Sequence, residues 1–261
     1  MEKIRAKKSL GQNFLKDESI LNRIADSIST NNDLIIEIGP GMGALTKKLV
    51  QKNSFVLAYE IDERMKSHLS PLENEKTKVI YKDFLQSNIK QDIQNISYNN
   101  TYILANIPYY ITTPIIQHIL DEDLEIKAMT LLVQKEVAER LSAKPKTSDY
   151  GAITVYLNCF FEIEKLFNVP NTCFDPVPKV DSAVISLTKK EQEYNIQNKK
   201  DFFKFITECF SQKRKTLKNN LKAYDWKKII PILEKNQLSE NCRAEELSLE
   251  VFLEIYQIIG N

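Results

Sequence analysis

The sequence predicts an α/β fold: a mostly parallel, doubly wound sheet of seven strands, followed by a small all-helical domain. Three observations carry this expectation. Short apolar runs alternate with helical patterns up to about Lys189. A glycine turn follows the first of those runs, in "DLIIEIGPGMGALTKKLV". Beyond Lys189 the pattern is helical to the end, after the polar junction "EQEYNIQNKK".

The elements follow in order. In "ESILNRIADSIST" (18–30), Ile20, Leu21, Ile24 and Ile28 fall at helical spacing. Leu34–Ile38 read as a buried strand, the glycines as a turn, and a helix begins at about Ala44. "FVLAYEID" is a second strand ending in acids, "KVIYKDFL" a third, "TYILANIPYY" a fourth, and "AMTLLVQKEV" a fifth that turns into a helix. In "TPIIQHILDE", Thr113 is placed to N-cap a helix and Pro114 suits its first turn. "FEIEKLFNVP" and "KVDSAVISL" read as two further strands, joined by a proline-rich connection that allows an antiparallel edge. The boundaries expected are 1–189 for the sheet domain and 190–261 for the helical one.

Bulk composition excludes several classes. The 261 residues are 43% hydrophobic and 27% charged, ordinary for a soluble globular chain. A net charge of +1 says nothing about partners, so any nucleic-acid signal must be local. Cys159, Cys173, Cys209 and Cys242 are far apart and form no CxxC pair. With only His68 and His118 beside them, no metal site and no disulfide framework is expected. No apolar run approaches membrane-spanning length, and "MEKIRAKKS" has no apolar core of a signal peptide. A cytoplasmic protein with no membrane association is expected.

Gly39, Gly41 and Gly43 let the backbone approach a nucleotide closely, and Gly39, Gly41 and Ala44 satisfy G-x-G-x-x-G/A. Glu60 lies roughly 20 residues downstream, where such folds hold an acid against ribose hydroxyls. Loop and acid together point to an adenosine-containing cofactor, without choosing between NAD and S-adenosylmethionine. Asp83 and Phe84, at the end of the third strand, suit an acceptor for the adenine amine and an aromatic cover for its ring.

The end of the fourth strand carries the chemistry. "NIPYY" places Asn106, Pro108 and Tyr109 where a doubly wound sheet opens onto its ligand crevice. An amine conjugated to a base, such as adenine N6, has a delocalised lone pair. Two acceptors that hold both N–H bonds favour a pyramidal, nucleophilic nitrogen. The Asn106 side-chain oxygen and the Pro108 carbonyl suit that task, and Tyr109 offers a face for an extruded base. A methyl leaving a sulfonium needs alignment more than a protein nucleophile.

"KKSLGQNFL" (7–15), "IEIGPGMGALT" (36–46), "YEID" (59–62), "KDFL" (82–85) and "NIPYYITTP" (106–114) together resemble the ribosomal RNA adenine N6-dimethyltransferases. "LLVQKEVAERLSAKP", "FDPVPKVDSAV" and "FSQKRKTLKNNL" extend the likeness over nearly the whole chain. It is more similar to the bacterial 16S rRNA branch, the kasugamycin-sensitivity methyltransferases, than to the erythromycin-resistance methylases of 23S rRNA.

The resemblance implies a class I methyltransferase domain, Rossmann-like, with a helical C-terminal domain that binds rRNA. It implies S-adenosylmethionine contacts at Asn13, Leu15, Gly39, Glu60, Asp83 and Asn106, with Asn13 and Leu15 closing the pocket from the N-terminal arm. Gly41 and Phe84 join them from the residue reading. Phe174 would pair with Tyr109 around the target base. Tyr110, Lys146 and Ala244 depart from residues common in the family. The reaction implied is dimethylation of N6 on two adjacent adenosines of a 16S rRNA hairpin, in the 30S subunit or its precursor, by a monomeric enzyme. An RNA-binding assembly factor, a 23S rRNA adenine methylase and an NAD-dependent dehydrogenase are the competing readings.

Charge is unevenly spread. Lys3, Arg5, Lys7 and Lys8 face only Glu2 in the first eight residues. Between 211 and 228, Lys213, Arg214, Lys215, Lys218, Lys222, Lys227 and Lys228 face only Asp225. Such clusters suit phosphate binding. Trp226 is expected in the core of the helical domain.

Overall fold

The computed structural model describes residues 4–107, 111–122, 124–191, 194 and 196–259. Nine strands are present among them: β1 (Phe14–Leu15), β2 (Leu34–Ile38), β3 (Phe55–Glu60), β4 (Thr77–Tyr81), β5 (Thr101–Asn106), β6 (Ile126–Gln134), β7 (Phe161–Val169), β8 (Phe174–Asp175) and β9 (Ser182–Lys189). In β2 all five residues are buried, and in β3 the last five are. Strands buried on both faces do not alternate, which is why they read as continuous apolar runs. Each fully buried Ile or Leu stabilises by about 1.5–3 kcal/mol relative to exposure.

Seven strands form one sheet in the order β4-β3-β2-β5-β6-β9-β7. β4, β3, β2, β5 and β6 are parallel, and β9 runs antiparallel to β6. The order reverses between β2 and β5, so the crevice opens at their carboxyl ends. β1 and β8 form a separate antiparallel pair, Phe14 opposite Asp175 and Leu15 opposite Phe174, which the sequence reading did not foresee.

The helices are α1 (Glu18–Ala25), α2 (Thr46–Leu49), α3 (Lys66–Leu69), α4 (Ile89–Ile93), α5 (Thr112–Asp121), α6 (Lys135–Leu141), α7 (Ala152–Asn158), α8 (Lys199–Cys209), α9 (Leu217–Asn220), α10 (Trp226–Lys235) and α11 (Leu249–Ile259). α1 is capped by Asp17, which accepts from the backbone N–H groups of Ser19 and Ile20. It ends at Ala25, five residues short of the expected limit, although Ile28 is still buried. α2 starts at Thr46 rather than Ala44, because the glycine turn extends to Leu45. Thr113 does not cap α5: the helix already includes Thr112, and Ile111 holds the cap position with no side-chain bond.

The chain divides into two compact units, residues 1–138 with 164–189, and residues 139–163 with 190–261. The break after Lys189 was expected. The excursion of 139–163 into the second unit corrects the assignment of 1–189 to one domain. A periodic apolar face shows that α7 is buried, not which core it joins. The second unit packs several aromatic rings together, with Phe202 5.0 Å from Tyr256, Phe210 5.7 Å from Phe252, and Tyr156 5.2 Å from Phe160. Trp226 is half-buried at the start of α10 rather than in the core, with the Lys218 ammonium 5.7 Å over its ring.

Candidate active site

The carboxyl ends of β2, β3, β4 and β5 enclose a cavity. Asn13, Leu15, Gly39, Gly41, Glu60, Asp83, Phe84 and Asn106 all line it. These eight were singled out from distant stretches of chain; the parallel register brings together the six from Gly39 to Asn106, and the N-terminal arm adds Asn13 and Leu15. Phe174 does not line the cavity. It is 1% exposed, in the core cluster with Leu15, Leu21 and Val184. Its expected partner Tyr109, and Pro108 and Tyr110, lie outside the described residues.

The turn after β2 runs through three left-handed residues, Gly39 at φ 72°, Gly41 at φ 56° and Gly43 at φ 77°. A side chain is strained in that region, and a Cβ on Gly41 would stand 3.0 Å from the Phe14 ring. Phe14 thus covers the turn from the N-terminal arm. The Gly39 N–H donates to the Tyr59 carbonyl (2.9 Å), tying the turn to β3.

Glu60, the last residue of β3, is 3% exposed. Its Oε2 accepts from the Gly41 N–H and its Oε1 from the Asp62 N–H, each at 2.8 Å. Burial raises its carboxyl above the ordinary range, the Asp62 and Gly41 N–H groups oppose this, and the Asp62 charge adds to it. Both partners are backbone N–H groups, so the carboxylate also ties the glycine turn to the end of β3.

Asp62 is a junction that the sequence did not reveal. It accepts from Gln12 Nε2 (2.9 Å) and from Arg64 Nη2 (2.6 Å), and lies 3.6 Å from Lys7 Nζ. The Arg64 side chain, above all, holds its carboxyl well below the usual range. Arg64 Nη1 also donates to the Arg5 carbonyl (3.2 Å), so this cluster fastens the N-terminal arm beside the cavity.

At the other wall, Asp83 Oδ1 accepts from the Leu85 N–H (3.0 Å), closing the turn that presents Phe84. Phe84 packs edge-on against Tyr59 at 5.2 Å and His118 at 5.3 Å. His118 Nε2 lies 3.3 Å from Ser87 Oγ, which donates to the Phe84 carbonyl at 2.6 Å. Asn106, ending β5, donates from Nδ2 to the Asn13 carbonyl (3.3 Å). That bond engages the donor side of the amide and leaves Oδ1 as its acceptor side.

Glu37, in the middle of β2, also lines the cavity and was not anticipated. Burial pushes its carboxyl up to about 8, the Thr46 hydroxyl opposes this, and the Glu60 charge adds to it. Between its ordinary value of 4.5 and about 8, the folded chain holds a proton that the unfolded chain has lost. Its contribution to stability is therefore full below 4.5 and declines as pH rises towards 8, by up to about 1.4 kcal/mol per pH unit. Melting temperature should fall across that window, and Glu37→Gln should remove most of the decline. An unchanged decline in the variant would assign the proton to another group.

The cavity suits a cation better than a polyanion. Glu60 and Asp83 line it beside Glu37, which burial keeps protonated at neutral pH, and among the described lysines and arginines only Lys82 does. A dinucleotide pyrophosphate uses the N–H groups of such a turn, and that of Gly41 is already given to Glu60. S-adenosylmethionine, with a sulfonium and no phosphate, fits this lining. The cradle and the sheet that carries it place the molecule among the class I methyltransferases.

Comparison with known proteins agrees. A family model described as ribosomal RNA adenine dimethylase matches residues 3–261. The ribosomal RNA small subunit methyltransferase A of Mycoplasma mobile is 44% identical over 252 residues, covering 94% of this chain and 95% of the relative. Its counterpart from Mycoplasmopsis pulmonis is 44% identical over 255 residues, covering 97% and 98%. Among solved structures, a dimethyladenosine transferase from Plasmodium falciparum superposes with a TM-score of 0.78 at 28% identity, over 94% of this chain and 98% of the other. The 23S rRNA methyltransferase ErmE does so with 0.70 at 26%, over 95% and 100%. The chain belongs to the ribosomal RNA adenine dimethylase family.

Proposed function

We propose that this protein dimethylates N6 of two adjacent adenosines in a hairpin of small-subunit 16S rRNA, using S-adenosylmethionine. The observation that carries the reading is the Asn106 amide, fixed by Asn13 at the edge of an acid-lined nucleotide cavity. When bound, S-adenosylmethionine supplies the methyl group as an electrophilic carbon on sulfur. Glu60 holds the ribose hydroxyls, Asp83 the adenine amine, and Phe84 covers the ring, while Asn13 and Leu15 close the pocket. Asn106 Oδ1 and the Pro108 carbonyl accept the two N6 hydrogens of the target base, which stacks on Tyr109. Alignment supplies most of the rate. The methylated nitrogen is acidic and gives its proton to water, so no basic side chain is needed.

The relatives named for the small subunit support 16S over 23S rRNA, whereas the fold alone resembles both kinds of enzyme. The test is incubation with labelled S-adenosylmethionine and 30S particles from an undermethylated strain. Two methyls on each of two neighbouring adenines are expected. Labelling of 50S particles instead would favour the 23S reading, and tight 30S binding without transfer an assembly factor. The same reading has the protein acting as a single chain in the cytoplasm, where ribosomal subunits are assembled.

The second unit supplies RNA affinity in this reading. Lys213, Arg214, Lys215, Lys218, Lys222, Lys227 and Lys228 are all exposed. Neutralising Lys213, Arg214 and Lys215 together should weaken 30S binding and lower the log–log salt slope by roughly 0.7–0.9 for each phosphate left without its cation. Cofactor affinity should be unchanged. A slope equal to that of the wild type would make the stretch an ordinary solvated surface.

A further inference from the structure

We infer that the turn at Lys144–Thr147 is part of the same RNA-binding surface, with Lys146 pairing with a backbone phosphate; this rests on the reading of the second unit as the RNA-binding part. Among the described residues, three other than glycine have positive φ: Asn32, Gln237 and Lys146. Asparagine tolerates that region, and Gln237 follows the end of α10, where a left-handed residue closes a helix. Lys146, at φ 69°, has neither excuse. Pro145 precedes it, and the pair matches the two central positions of a type II turn, whose second position favours glycine or asparagine. A long cationic side chain at that position costs backbone strain.

The backbone around Lys146 explains the turn but not the side chain. The Lys146 N–H donates to the Glu245 carbonyl (2.7 Å), and the Thr147 hydroxyl donates to the Lys144 carbonyl (2.7 Å). Glycine could make both arrangements without strain. The Lys146 side chain is exposed, as is that of Lys144. Two residues on, the Ser148 carbonyl accepts a hydrogen bond from the Lys213 ammonium. The turn is therefore held against the basic stretch, and Lys144 and Lys146 extend the row of Lys213, Arg214 and Lys215. The neighbouring acids are Asp149, which is exposed, and Glu245, whose side chain is 26% exposed beside Arg243. Cations outnumber them on this face. Structured RNA, read through its phosphates and its shape, is the ligand such a surface fits.

The test uses the full-length protein and undermethylated 30S particles, with binding measured over a range of salt concentrations. Lys146→Gly should lower the salt slope by roughly 0.7–0.9 and the affinity at 0.15 M salt by about fivefold, the effect of one phosphate no longer neutralised. It should melt no lower than the wild type, because glycine relieves the strain. Lys146→Arg should bind as the wild type does. If Lys146→Gly keeps the wild-type slope while the Lys213, Arg214 and Lys215 variant shows a reduced one, this inference alone is wrong. If neither variant changes the slope, the RNA-binding reading of the second unit falls with it. Equal losses in Lys146→Arg and Lys146→Gly would also overturn the inference, since charge would not be what matters.

Discussion

Asn106→Ala is expected to reduce methyl transfer to 30S particles about 10²- to 10³-fold, the cost typical of removing one preorganised polar group from a reacting centre. The Asn106 amide nitrogen is 3.3 Å from the Asn13 carbonyl, so rotation about the amide is restrained and Oδ1 is held as an acceptor. In the proposed chemistry, loss of that oxygen would leave a single acceptor for the adenine amine, and the nitrogen would stay nearer to planar. Two further measurements separate this effect from simpler ones. RNA affinity should survive, because phosphate contacts supply most of it. Cofactor affinity should fall less than the rate, since Asn106 is one lining residue among many. Asn106→Asp is the sharper comparison: it keeps an acceptor but loses the N–H donated to Asn13. A folded Asn106→Ala protein with a near wild-type rate would sink the proposed chemistry.

What could be read from the sequence follows from which forces act locally. Strand ends could be located because apolar runs stop abruptly, at Ile38 before glycine and at Glu60 and Asn106 in polar side chains. Parallel pairing then places those ends along one edge, which accounts for Gly39, Gly41, Glu60, Asp83, Phe84 and Asn106; Asn13 and Leu15 came from the family resemblance alone. The residues that were missed depend on contacts between distant segments. Asp62 matters because Gln12 and Arg64 converge on it, fifty positions and two positions away. Glu37 reads as an oddity inside an apolar strand; only its burial and its place in the cavity wall give it meaning. The β1–β8 pair joins segments about 160 residues apart through two residues each, too short for any periodic signal. Phe174 sits in that pair, which is why its place in the core could not be foreseen. Lys146 was visible only as a departure from a common glycine, and its φ gives that departure a physical cost.

Glu60→Ala is expected to weaken S-adenosylmethionine binding about 10²-fold, the loss of one or two hydrogen bonds to a charged acceptor. The structure complicates this expectation, because the same carboxylate also accepts from the Gly41 and Asp62 N–H groups. Alanine leaves both donors without their acceptor, which loosens the glycine turn. Against that, Glu60 is buried, which disfavours its charge and raises its carboxyl pKa, so removing the charge also removes a cost. These terms oppose each other. The melting temperature should move by only a few degrees while cofactor affinity collapses. The linkage provides an independent check. A raised carboxyl pKa means that the charged form is populated only above it, so cofactor affinity should strengthen as pH rises through the Glu60 titration. Glu60→Gln, which cannot charge, should lose that dependence. Calorimetry decides the matter: wild-type affinity in Glu60→Ala would remove Glu60 from the site. A large fall in melting temperature would instead assign the carboxylate to holding the turn, with the ribose bound by other groups.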